Sequence, residues 1–173
     1  MNYKPYALDI NKDHTRFQFQ SVGKRGVFEK VILFQLLSDD VYNLALLDYN
    51  PTSQEYSDLS VTNNGDMPEI FATAITAVTA FLNEYRNRKI YFEGSTSPRT
   101  RLYQIVINKI YNSDNQDLII LGLRNQEWYP FEPTINFEGF LIKKIFNLEE
   151  INFHRNESCR KKYHKRERGR NYI

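Results

Sequence analysis

Cysteine is all but missing from this chain. Cys159 stands alone, so neither an internal disulfide nor a metal centre built on several thiolates can form. Glycine (7 of 173 residues) and proline (6) are scarce too, which excludes collagen-like and low-complexity chains. No stretch approaches ~20 consecutive apolar residues. The opening Met1-Asn2-Tyr3-Lys4-Pro5 lacks the charged-then-apolar profile of a secretion signal, so the expectation is a cytoplasmic protein with no membrane partner. His14, His154 and His164 are scattered and none has metal-ligand spacing, and no carboxylate pair stands out as an acid and base couple; no metal and no cofactor are expected. Cys159 lies in a charged tail with nothing to orient a base beside it, which reads as an exposed, oxidisable thiol rather than a nucleophile.

Aromatic residues are plentiful instead. Twelve Tyr, twelve Phe and one Trp make up 14% of the chain, a composition that suits a pleated sheet better than a helical bundle. The net charge of +2 conceals an asymmetry: residues 154–173 hold eight Lys and Arg against two Glu, a +6 tail on a body of −4. The reading is one α+β domain over residues 1–146, followed by a basic C-terminal extension over 147–173.

Alternation in Phe17-Gln18-Phe19-Gln20 predicts a half-buried strand, and Gly23-Lys24-Arg25-Gly26 a turn. Val27 to Leu37, Val41 to Tyr49 and a weaker Tyr56 to Val61 continue as strands joined by short polar breaks, which implies an antiparallel meander. Asp66-Met67-Pro68-Glu69 opens a helix, with Asp66 as N-cap, Glu69 as its capping-box partner and Phe71, Ile75, Val78, Leu82 and Tyr85 on the inward face. Ile90 to Phe92 is a fifth strand. A second helix follows from about Pro98 to Tyr111, with Leu102, Ile105, Val106 and Ile110 inward. Leu118 to Leu123 reads as a buried strand, Trp128 to Phe131 as a loop or edge strand, and Phe140-Leu141-Ile142 as the strand that closes the sheet. The predicted architecture is a curved, mostly antiparallel sheet, four-strand meander first, with both helices packed on one face.

Asn63-Asn64-Gly65-Asp66, the block Gly94-Ser95-Thr96 with Arg99-Thr100-Arg101-Leu102-Tyr103, Trp128 with Phe131, and Phe140-Leu141-Ile142-Lys143-Lys144 occur in this order. The combination resembles a small bacterial family of unknown function, across roughly residues 3–144. That resemblance implies one complete domain and brings no activity with it. Separately, four meander strands followed by a helix are similar in order to the opening of the single-stranded-DNA-binding Whirly-like fold; that fold repeats its strand-helix unit, which the second half here does not obviously do.

The leading candidate site is the turn from Gly94 to Arg101. A glycine, a row of hydroxyls and a proline at the helix start describe a strand-to-helix turn whose unpaired N–H groups suit an anion, with Ser95 and Thr96 in the turn and Arg99 and Arg101 as phosphate donors. It has neither the glycine and lysine positions of a Walker loop nor the spacing of a dinucleotide fingerprint. The plainer reading is that Ser97 caps the helix while the arginines pair with surface carboxylates. The second candidate is the tail, where Arg160, Lys161, Lys162, Lys165 and Arg166 surround Tyr163, a pattern that serves sequence-independent contact with nucleic acid and equally describes a solvated end. Two functional classes follow: a non-enzymatic binding or regulatory protein contacting nucleic acid or another phosphate ligand through that turn and the tail, or a small nuclease or toxin-like enzyme in which Arg99 and Arg101 stabilise charge and Tyr103 supplies a proton. A homo-oligomer is the remaining partner expectation.

Overall fold

A computed structural model describes residues 3–57, 63–94, 96–112 and 117–145. The strands are β1 (Asp9–Ile10), β2 (Arg16–Gly23), β3 (Gly26–Ser38), β4 (Val41–Asn50), β5 (Glu55–Ser57), β6 (Lys89–Glu93), β7 (Leu118–Arg124), β8 (Glu127–Pro130) and β9 (Gly139–Lys144); the helices are α1 (Met67–Glu84) and α2 (Ser97–Asn112). All the strands join one sheet in the order β1-β2-β3-β4-β6-β9-β7-β8, with β5 added to the far end of β4. The class is α+β, as predicted, and the sheet is mixed: β4 and β6 run parallel across the connection that contains α1, and every other pairing is antiparallel.

One face of the sheet carries the core. Phe17, Phe19, Ile32, Phe34, Leu44, Ile90, Phe92, Ile120, Phe140 and Ile142 form one cluster with Ile70, Phe71, Val78, Phe81 and Leu82 of α1 and Val106 and Ile107 of α2, so both helices pack on that face. Phe81 stacks on Phe34 at 4.2 Å between ring centroids and meets Tyr42 edge-on, which centres α1 over the meander. Around α2, Phe131, Phe137, Phe140 and Phe92 make a second aromatic group. Gly122 is required there, because an added Cβ would stand 2.3 Å from the Phe137 ring.

Four sequence expectations change. The capping box is not formed: the Asp66 side chain makes no cap bond and turns into a buried hydrogen-bond network instead. On α2, which begins one residue earlier than expected, Ile105 is 45% exposed, whereas Ile107 is fully buried and Gln104 nearly so; the strongly apolar residue at 105 lies on the wrong side of a 3.6-residue period anchored by Val106 and Ile107. The Ile110 side chain lies outside the described residues. Third, Phe140-Leu141-Ile142 does not close the sheet. Its strand, β9, sits between β6 and β7, since it is apolar on both faces, while β8, ending in a proline with no N–H to give, takes the edge. Last, the fourth strand of the meander spans Glu55–Ser57; residues 58–62, on which the rest of that reading falls, lie outside the described residues.

Candidate functional site

The start of α2 is held tightly against the end of β6. A Cβ at Gly94 would stand 2.2 Å from the Thr100 backbone nitrogen and 2.6 Å from the Arg99 carbonyl carbon, so glycine is needed for a close approach of strand end to first helical turn. Thr96 closes that turn: its carbonyl accepts the Thr100 N–H at 3.0 Å and the Thr100 hydroxyl at 3.2 Å. No acidic residue occupies the first turn of α2; Arg99 stands in that turn and Arg101 opens the next. A helix N-terminus carries about +0.5 charge, and Arg99 and Arg101 stand near that end.

Thr96 and Arg101 are exposed and Arg99 is half-buried. Two positions along a helix correspond to about 200° of rotation, so Arg99 and Arg101 leave the helix on different sides and flank its end rather than share one direction. Tyr103 is half-buried, its ring set edge-on to Phe92 at 5.3 Å, so it belongs to the wall of the core as well as to the helix surface. Ser95, Arg160, Lys161, Lys162, Lys165 and Arg166 lie outside the described residues.

A polar cluster under the β2–β3 hairpin was not anticipated. Asp66 accepts hydrogen bonds from the Ser21 hydroxyl at 2.6 Å and the Tyr6 hydroxyl at 2.7 Å, and the Tyr6 oxygen in turn accepts the Val22 N–H at 3.1 Å. Asn64 donates to Ser21 and to the Gly26 carbonyl, accepts the Arg25 N–H with its side chain and accepts the Lys24 N–H with its backbone. Ser21, Asn64 and Asp66 are buried, so the Asn-Asn-Gly-Asp block fastens the hairpin tip to the start of α1. The left-handed backbone of Asn63 (φ 45°) and Gly65 (φ 83°) provides the bend, and the only signal of it in the sequence is the Asn-Gly pair itself. Burial is the first cause that holds the Tyr6 phenol above its ordinary pKa, with the Asp66 carboxylate adding to it. Nearby, Lys30 and Asp48 form a buried ion pair across β3 and β4, on the helix side of the sheet. Sequence alternation alone could not reveal it, because both residues occupy inward positions of strands that otherwise read as apolar.

The helix-free face of the sheet is finished in two ways. Over the meander, Arg16 lies across Tyr56 at 4.8 Å from the ring centroid and donates to its hydroxyl at 2.9 Å, and that hydroxyl donates to Glu29. These side chains, with Tyr49 against Tyr56, roof over Val31, which is fully buried although it points away from both helices. Burial, then the Glu29 carboxylate, raises the Tyr56 pKa. Over β6-β9-β7-β8 the cover is partial: Tyr91 from β6 and Trp128 from β8 reach toward each other across β9 and β7, and Ile119 on this face is buried. Tyr91, Leu141, Leu121 and Pro130 form one cross-strand row, and Glu93, Gly139, Leu123 and Trp128 the next. The three leucines are half-exposed and Trp128 is 40% exposed. Tyr91 reclines over Gly139, where an added Cβ would meet its ring at 3.2 Å, and meets Trp128 edge-on at 6.1 Å. Its hydroxyl donates to Glu93 at 2.5 Å; burial first and that carboxylate second push its pKa well above the tyrosine range.

Among the described residues no helix is long and apolar enough to cross a membrane, and no group of three or more His, Cys, Asp or Glu side chains is placed to hold a metal ion. The architecture is that of an α+β domain with a mixed sheet, one face of which lies under two helices. The chain belongs to the family of unknown function DUF6934, whose model matches residues 2–145. No curated protein and no solved structure matches it.

Proposed function

We propose that the protein is a non-enzymatic binding or regulatory protein that engages a phosphate-bearing ligand, nucleic acid foremost, at the start of α2, with the basic residues of 160–166 adding affinity. The observation that carries this reading is the start of α2: Arg99 in a first turn that holds no acid, with Arg101 just beyond it, near the positive end of the helix dipole on a turn braced by Gly94 against β6. Such an end gains roughly 0.3–2 kcal/mol from an anion. The tail supports the same ligand, because clustered cations displace counterions from a phosphate backbone regardless of sequence. Tyr103 leans its ring on Phe92, which suits a wall better than a proton donor and weighs against the nuclease reading.

The test is fluorescence anisotropy with a labelled single-stranded oligonucleotide across a salt series. Binding falls steeply with salt, and Arg101→Gln makes the log–log slope shallower by about one. Truncation after residue 153 weakens binding further, and the oligonucleotide is recovered intact. Absence of binding at low salt, or a slope that Arg101→Gln leaves untouched, overturns the assignment of this turn. Cleavage that disappears in Arg101→Ala would establish the enzyme in place of the binding protein.

A further inference from the structure

Asn64 is followed by Gly65, the only Asn-Gly step in the chain, and the function proposed above makes no use of it. Such a step is chemically labile, because a glycine with no Cβ leaves its backbone nitrogen open to the carboxamide that precedes it. Here the fold holds that carboxamide elsewhere. Asn64 is 2% exposed; its Nδ2 donates to the Ser21 hydroxyl oxygen at 3.2 Å and to the Gly26 carbonyl at 3.1 Å, and its Oδ1 accepts the Arg25 N–H at 2.9 Å. The Asn64 carbonyl accepts the Lys24 N–H, also at 2.9 Å. All of these partners belong to the β2–β3 hairpin, and Ser21 in turn donates to the Asp66 carboxylate at 2.6 Å. One labile side chain is therefore the latch between the hairpin tip and the start of α1.

We propose that Asn64 is a self-modification site gated by the hairpin tip: its carboxamide reacts with the Gly65 nitrogen only when the tip lifts from the start of α1, and the product keeps the tip from closing again. In that reaction the Gly65 nitrogen attacks the Asn64 side-chain carbon and forms a C–N bond. The carboxamide C–N bond breaks, and ammonia leaves with the proton that Gly65 gives up. Water then opens the cyclic imide, to aspartate or to an isomer whose backbone runs through the side-chain carboxyl. Neither product fits the latch. A carboxylate has no N–H for Ser21 or for the Gly26 carbonyl, and it stands one hydroxyl away from the buried Asp66 carboxylate. The isomer lengthens the backbone where the Asn64 carbonyl oxygen already lies 2.2 Å from a Cβ added at Gly23, so the tip has no slack to take it up.

The experiment ages the full-length chain at mildly alkaline pH beside a synthetic peptide of residues 60–69. Deamidation of Asn64 is read by mass spectrometry, and amide hydrogen exchange at Lys24 and Arg25 is measured on the same samples. Opening of the tip releases those two amides and the Asn64 carboxamide together. The fold therefore slows deamidation, relative to the peptide, by the factor with which it slows exchange at Arg25, to within about threefold. Ser21→Ala removes one acceptor of the latch and speeds both processes by about tenfold. Aged chains that carry the product, and Asn64→Asp, lose protection at Lys24 and Arg25 while the amides of Val31 and Phe81 in the core keep theirs. Should Asn64→Asp fail to fold, the aged chain and Ser21→Ala decide. An Asn64 that deamidates as fast as the peptide overturns the proposal, because the fold then does not gate it. So does an Asn64 that stays intact in Ser21→Ala while the tip amides exchange freely. A product chain whose Lys24 and Arg25 amides remain protected overturns it as well.

Discussion

The two halves of the helix-free face begin from the same sequence pattern and end differently. Along the meander, Val31 and Leu47 point away from the helices just as Leu141 and Leu121 do along the second half. Val31 is nevertheless sealed, because Arg16 and Tyr56 meet above it and Glu29 holds the Tyr56 hydroxyl. Over β9 and β7 the bridging pair is Tyr91 of β6 and Trp128 of β8, which meet edge-on across those strands, and beneath it Leu121, Leu123 and Leu141 stay half-exposed. Alternation of apolar and polar residues therefore decides which way a side chain points, while long polar side chains from neighbouring strands decide whether what points outward stays wet.

The sharpest way to break the comparison is the same substitution in both halves. Val31→Asp buries a charge under the roof without a partner, at a cost of several kcal/mol that approaches the stability of the whole domain. Leu141→Asp places the same charge on a half-exposed surface and costs no more than roughly 2 kcal/mol. Far-UV circular dichroism at 25 °C should show the first variant largely unfolded and the second folded. Equal losses would mean that the two halves are finished alike. A smaller effect sharpens the same contrast. Tyr56→Phe removes a hydroxyl that both accepts from Arg16 and donates to Glu29, for a loss of about 1 kcal/mol in urea unfolding, whereas Tyr91→Phe removes a hydroxyl that meets exposed Glu93 and changes stability by less than about 0.5 kcal/mol.

The elements of this fold were largely legible because most are periodic. Phe17 and Phe19 alternate, α1 repeats its apolar residues every third or fourth position, and the turn residues Gly23 to Gly26 mark the first hairpin. What could not be read were choices made between distant segments. Asp66 looked like a cap because it precedes a helix and has Glu69 three positions on, yet Ser21 and Tyr6, 45 and 60 residues away in sequence, claim its carboxylate. β9 looked like a last strand because it comes last, and lies centrally because both of its faces are apolar. For the candidate site, Gly94 and the hydroxyl row correctly announced a strand-to-helix turn, but the half-turn separating Arg99 from Arg101 depends on the register of the helix start. The half-exposed leucines of the helix-free face left no local signal at all, because Leu121, Leu123 and Leu141 read in sequence as parts of buried strands.

The most direct test of the difference between the halves is hydroxyl-radical footprinting of the dilute full-length chain, read residue by residue by mass spectrometry. The account predicts stronger oxidation of Trp128, Leu123 and Leu141 than of Val31, which stays protected. Protection of Leu123, Leu141 and Trp128 equal to that of Val31 would contradict it.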